Sequence, residues 1–237
     1  MITINFKYLK LKPGSKILDM GCGEGRHLAA ACREHNVFCQ GSDLNPADLG
    51  KTREKLEFHE SINDFQSSAW ALNCTDITAL SFKDEIFDAV ICSEVLEHIP
   101  GDQKALNELL RVLKKGGILA ISVPRYLPEK ICWMLSDEYL DADRGHIRIY
   151  NKKQLVSMVE KSGAEHFKTH YAHSLHTPFW WLKSLLGCNR TDSLTINLYH
   201  RLLVWDLMEK PKITGLIEKM LNPLMGKSMV LYFLKDV

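Results

Sequence analysis

Three glycines at alternate positions, Gly21, Gly23 and Gly25, follow the short apolar segment Lys16–Met20. Glycine has no Cβ, so such a loop can turn with positive φ and admit a ligand close to the backbone. A helix predicted from Arg26 points its free N–H groups at the same place. The spacing is GxGxG. A dinucleotide site requires GxGxxG, whose third glycine lets helix and strand pack beneath a pyrophosphate. Asp19 stands two residues before the first glycine. Its carboxylate would repel a pyrophosphate and attract the ammonium of a methionine moiety, which favours S-adenosylmethionine over NAD. Asp43, closing the second apolar segment, is placed to accept hydrogen bonds from ribose hydroxyls. Asp76, after the third, is placed to accept from an adenine amino group, with Ile77 against the ring. His98 and His146 are candidate bases, because a reference pKa of about 6.5 suits removal of a proton from an acceptor hydroxyl. Each also has a structural reading. His98 can pack on a helix after the fourth strand, and His146 can organise, with Tyr150, the loop before a later helix. No group of His, Cys, Asp or Glu has metal-ligand spacing, so no metal is expected.

These residues need a frame. Apolar runs at Lys16–Met20, Val37–Ser42, Ser67–Leu72, Phe87–Cys92 and Ile118–Val123 read as buried strands. Between them, Arg26–Glu34, Pro46–Phe58 and Gln103–Leu113 read as helices. The second is opened by Asn45-Pro46, and the third is closed by Gly116-Gly117. His59–Phe65 reads as a polar linker. This alternation predicts a parallel sheet covered on both faces. Lys153–Lys161 reads as a further helix, Glu165–Tyr171 as a strand and Met229–Leu234 as a last buried strand. Residues 174–227 break the rhythm with two aromatic-rich helical stretches.

Residues 16–124 resemble the class I methyltransferases, most closely the broad type 11 group that includes quinone-biosynthesis O-methyltransferases. The matching pieces are Leu-Asp-Met-Gly-Cys-Gly-Glu-Gly (18–25), Gly-Ser-Asp-Leu-Asn (41–45), Thr-Asp-Ile (75–77), Phe-Asp-Ala-Val-Ile-Cys-Ser-Glu-Val-Leu-Glu-His-Ile (87–99) and Leu-Lys-Lys-Gly-Gly-Ile-Leu-Ala-Ile-Ser-Val-Pro (113–124). The resemblance implies a Rossmann-like α/β fold with a seven-stranded, mostly parallel sheet, order 3-2-1-4-5-7-6, and a helical insertion before the last strand. It implies that Asp19, Gly21, Gly23, Asp43 and Asp76 bind S-adenosylmethionine. Ser93 and Glu94 fall near its methionine end, and Cys22, Leu44 and Ile77 lie within the same matched loops. It does not specify the acceptor. The segment after the fourth strand, Ser-Glu-Val-Leu, lacks the Asn/Asp-Pro-Pro-Tyr pattern of enzymes acting on exocyclic amino groups of nucleic acid. Oxygen is therefore the first choice of methylated atom. The same acids would also serve an inactive cofactor-binding partner subunit.

A chain of 237 residues suits one domain with an insertion. The formal net charge of +1 supplies no field that would draw nucleic acid. Seven scattered cysteines without CxxC read as free thiols in a reducing compartment, and no secretory leader is apparent. The expectation is a cytoplasmic protein, with peripheral membrane contact as an alternative. Insertion 174–227 carries Phe179, Trp180, Trp181, Tyr199 and Trp205, and reads as a lid over an acceptor with an apolar or lipid portion. Trp180 and Trp181 are expected on its acceptor face. Lys183, Arg190, Arg201 and Lys210 could meet headgroups. Arg125, Arg144 and Arg148 could grip an anionic acceptor.

Overall fold

The structure, a computed structural model, describes residues 1–34, 36–65, 68–136, 146–187 and 193–236. Asp143–Gly145 of the second polar cluster, Cys188 and Arg190 lie outside them. Strands β1 (Lys16–Met20), β2 (Phe38–Asp43), β3 (Ala69–Cys74), β4 (Phe87–Ser93), β5 (Leu113–Pro124), β6 (Ala164–Ala172) and β7 (Ser228–Lys235) form one sheet in the order β3-β2-β1-β4-β5-β7-β6. The pairs among β1 to β5 are parallel, and β7 runs antiparallel to both β5 and β6. The carboxyl ends of β1 to β6 therefore share one edge, where open α/β sheets hold ligands.

Helices α1 (Arg26–Cys32), α2 (Pro46–Ser61), α3 (Asp102–Val112), α4 (Tyr126–Leu135) and α5 (Lys152–Glu160) accompany the strands. Asn45 caps α2 by accepting from the Ala47 N–H, with Pro46 in the first turn. Ala105, Leu106, Leu109 and Leu110 of α3 are buried, as their helical spacing requires. They share a core with Leu18, Val90, Leu119 and Phe233 on one sheet face, while Leu28, Ile91, Ala120 and Tyr232 serve the other.

Three local expectations need correction. β3 begins two residues later than its apolar run suggested, and α2 continues through the first residues of the expected linker. Gly116-Gly117 do not close α3. The strand starts at Leu113, and the pairing jumps from Phe87↔Leu113 to Ala89↔Ile118. The glycines sit in that irregularity, where Gly116 adopts φ 72° and a Cβ on Gly117 would crowd the Lys114 and Asp88 carbonyls. Helix α4 had no counterpart in the sequence pattern. Pro128 falls in its first turn, where a missing N–H costs nothing.

Among the described residues the insertion holds three helices rather than two: α6 (His176–Leu186), α7 (Leu194–Glu209) and α8 (Lys212–Met225). Trp180 and Trp181 pack with Cys132 and Trp133 of α4, and the Trp181 indole donates to the Pro128 carbonyl at 3.1 Å. They fasten the insertion to the body instead of forming a free acceptor face. Trp181→Ala removes that hydrogen bond and the half-buried ring's contacts with α4, a loss of roughly 2–3 kcal/mol. Hydrogen exchange should show α6 amides losing protection while those of β4 and β5 keep theirs.

Candidate active site

The glycine loop is built as its sequence demands. Gly21, Gly23 and Gly25 take φ of 75°, 50° and 75°. A Cβ on Gly21 would overlap the Val95 side chain. The loop is pinned to β2 by the Gly21 and Cys22 N–H groups, which donate to the Ser42 carbonyl at 2.8 and 3.1 Å. The Thr52 hydroxyl donates to the Gly23 carbonyl at 2.6 Å. Asp43 holds the loop from the side, accepting from the Gly23 N–H at 2.8 Å and the Asn45 N–H at 2.9 Å. Cys22 is buried beneath, and Leu44 is largely exposed at the tip. Asp76 is exposed one strand over. Its carboxylate accepts from the Thr78 N–H at 2.7 Å, which holds its pKa below the usual range. Ile77 points into the main core and supports this loop from below.

Asp19 differs from the other two acids. It is 1% exposed, and its Oδ2 has no hydrogen-bond partner. Burial raises its pKa to about 7, with Arg26 opposing the shift. A buried carboxyl with an unused oxygen beside a glycine cradle fits a cationic ligand group.

The turn after β4 carries the second half of the site. Ser93 is buried with its hydroxyl unpartnered. Glu94 sits at φ 57°, unusual for a residue with a side chain, and accepts from the Ser122 hydroxyl at 2.6 Å. His98 lies in a short 3-10 turn, Leu96–His98, rather than on the helix expected there. The two candidate bases meet: the His98 and His146 ring centroids are 4.6 Å apart. His146 Nδ1 lies 2.9 Å from Glu129 of α4, and its Nε2 lies 3.9 Å from Glu97. Both glutamates are 1% exposed. Burial and the nearby Glu94 carboxylate push the Glu97 pKa well above the usual range.

Sequence reasoning missed Glu97 and Glu129. An acid in a first helical turn ordinarily faces solvent and complements the helix dipole, so nothing signalled that Glu129 is buried. It also missed that Glu97, His98 and His146 bring one ligand atom each within 4.8 Å of one another, because this grouping is tertiary. Two of the three candidate arginines, Arg125 and Arg148, are committed elsewhere, and Arg144 lies outside the described residues. Arg148 pairs with Asp102 at 2.6 Å and donates to the Pro100 carbonyl. Arg125 donates to the Asn222 and Pro223 carbonyls and covers the Tyr171 ring. Tyr150 organises its loop through Asp102 at 2.6 Å, as its structural reading anticipated.

A family model described as a methyltransferase domain matches residues 3–168. The chain belongs to that family. The domain is 28% identical over 122 residues to a ubiquinone biosynthesis O-methyltransferase of Coxiella burnetii, covering 50% of this chain and 49% of that protein. It spans about half or less of the first curated relatives that it matches. A putative methyltransferase of Bacillus halodurans superposes with a TM-score of 0.65 at 20% identity, covering 98% of this chain and 97% of the other. The phosphoethanolamine N-methyltransferase 2 of Haemonchus contortus, solved in complex with S-adenosyl-L-methionine, superposes with a TM-score of 0.61 at 18% identity, covering 98% and 51%. These structures share the fold of this methyltransferase domain.

The buried Asp19 yields a stability prediction. Its folded pKa of about 7 lies above the unfolded value of 3.8, so the unfolded chain ionises first. The resulting cost is absent below about pH 4, grows from pH 4 to 7, and is on the order of 4 kcal/mol above that. Asp19→Asn should melt several degrees above the parent protein at pH 8, and the two should converge near pH 4. Differential scanning calorimetry across that range is the measurement. A constant difference would remove the burial argument.

Proposed function

We propose that this domain transfers the methyl group of S-adenosylmethionine to a hydroxyl of a small, partly apolar acceptor. The observation that carries the reading is the abutment of two half-sites. The glycine loop with Asp19 touches the turn after β4 through Gly21 and Val95, and that turn leads directly to the His98–His146 pair. Asp19 would hold the methionine ammonium, with Gly21, Cys22 and Gly23 lining the approach. Asp43 and Leu44 would serve the ribose, Asp76 the adenine edge on the loop that Ile77 anchors to the core, and Ser93 and Glu94 the methionine end. When bound, the cofactor supplies a methyl group on a positively charged sulfur, already a good leaving group.

The residues of this chain then contribute alignment, exclusion of water and proton removal. His98 closes the 3-10 turn after β4 and takes the acceptor proton. His146, with a side chain 8% exposed and locked to Glu129, stands behind it as a positioning residue that stabilises the new charge. Oxygen is the acceptor atom favoured by this pair, because a hydroxyl must lose a proton and a neutral amine need not do so first.

The roles separate experimentally. His98→Ala should leave S-adenosylmethionine affinity within about threefold and lower transfer to a prenylated phenol by about 10²–10⁴-fold. Asp43→Ala should weaken cofactor binding by tenfold or more, since a charge-assisted contact is worth roughly 1.5–3 kcal/mol. Calorimetric titration with S-adenosylmethionine and with NAD, beside single-turnover kinetics, measures both. Binding of NAD in preference would reject the reading.

The acceptor class is argued from the insertion. Leu194, Leu198, Leu202 and Trp205 form an outward stripe on α7, at 83%, 67%, 43% and 45% exposure. Ile213, Leu216, Met220 and Leu224 form another on α8. Two helices turning apolar stripes outward, flanked by Arg201, Lys210, Lys212 and Lys219, suit a lipid surface from which a lipid-linked acceptor is drawn. No helix among the described residues is long and apolar enough to cross a membrane. The domain should co-float with phospholipid vesicles, and Leu198→Glu with Met220→Glu should abolish this while retaining the circular dichroism spectrum. Failure of the parent protein to float would end the membrane reading and leave the transfer chemistry standing.

A further inference from the structure

A second group of donors lies where the helical insertion leaves the sheet. His173 follows β6, His176 opens α6, and Glu218 reaches across from α8. One ring nitrogen of each histidine and a carboxylate oxygen of Glu218 lie within 4.8 Å of one another. His173 and Glu218 also border a cleft of about 460 Å³ formed with Asp206, Lys210 and Thr214. We propose that His173, His176 and Glu218 bind a divalent transition-metal ion of the zinc type, which fastens the insertion to the end of β6.

Four observations support the site. His176 Nδ1 is buried and has no hydrogen-bond partner. His173 sits at φ 65°, a costly conformation for a residue with a side chain and one met at ligand clamps. Its Nε2 lies 3.3 Å from the Thr3 hydroxyl, which leaves Nδ1 for an ion and gives the ring the outer partner that metal-bound histidines usually have. Among the described residues, neither Glu218 nor Asp206 makes an ion pair.

The charge and geometry agree with this assignment. An ion of charge +2 would meet the carboxylates of Glu218 and Asp206, with the Lys210 ammonium lining the same cleft. Tetrahedral ligands at zinc stand about 3.4 Å apart, so small side-chain rotations from the present arrangement close the set. Two imidazoles and a carboxylate suit zinc and its first-row neighbours and do not suit magnesium or calcium.

The experiment is titration of chelator-treated, full-length protein with Zn²⁺, and with Co²⁺ as a visible-absorption probe. We expect one equivalent of Zn²⁺ with a Kd of about 1 μM or tighter, Co²⁺ bands of a nitrogen–oxygen site, and a higher unfolding temperature with zinc. His176→Ala and the near-isosteric Glu218→Gln should each weaken binding at least a hundredfold while keeping the circular dichroism spectrum. His98→Ala combined with His146→Asn should bind zinc like the parent. Binding lost in that double variant and kept in Glu218→Gln would move the ion to the Glu97–His98–His146 group and overturn the proposal. Affinity no better than millimolar in the parent would overturn it as well.

Discussion

The close seat of Gly21 against Val95 sets the geometry on which the rest of the site depends. The backbone of the first loop can reach the turn after β4 only because residue 21 has no side chain. That contact fixes the distance between the end of β1, with its buried acid, and the turn that carries Glu94 to His98. β1 and β4 are neighbours paired from Ile17↔Ala89 to Met20↔Cys92, so the two loops leave the sheet side by side. The sheet supplies alignment, and the missing Cβ supplies the last ångströms.

Around that seat the protein keeps several carboxyl groups out of water. Asp19, Glu97 and Glu129 are each about 1% exposed. Dehydrated charge is expensive, and proteins retain it where a partner or a function compensates. Glu129 has His146 and, at 3.7 Å, Lys227. Asp19 has no such partner on one of its oxygens, and Glu97 lacks hydrogen bonds on both. The uncompensated groups lie on the two sides of the proposed transfer site, as expected where stability is traded for binding.

The frame of this site was legible in the sequence, and its interior was not. Period and punctuation located β1, β2, β4, α2 and α3, because an apolar run ending in glycines or an Asn-Pro start constrains the backbone locally. The three acids of the loops were likewise readable from strand ends. Gly116 misled, because a glycine after a helix looks the same whether it caps the helix or bends the next strand. Helix α4 was hidden by Pro128, and with it Glu129. Arg125 and Arg148 looked like ligand-binding cations because sequence does not show the carbonyls and the carboxylate that occupy them. The two histidine groups arise from tertiary contacts, although His173 and His176 are spaced three apart, which could have been noticed.

The position of β7 has a consequence for the insertion. The chain leaves β6 at Ala172 and rejoins the sheet at Ser228, and these two residues are register partners in adjacent strands. Everything between them is an excursion with its two feet planted together. Lengthening, shortening or exchanging such a segment leaves the strand order and the glycine loop untouched, and the entropic penalty of closing it grows only slowly with length. The helices at 176–225 therefore leave and rejoin the sheet at one point, so their length is not dictated by the strands that carry the glycine loop.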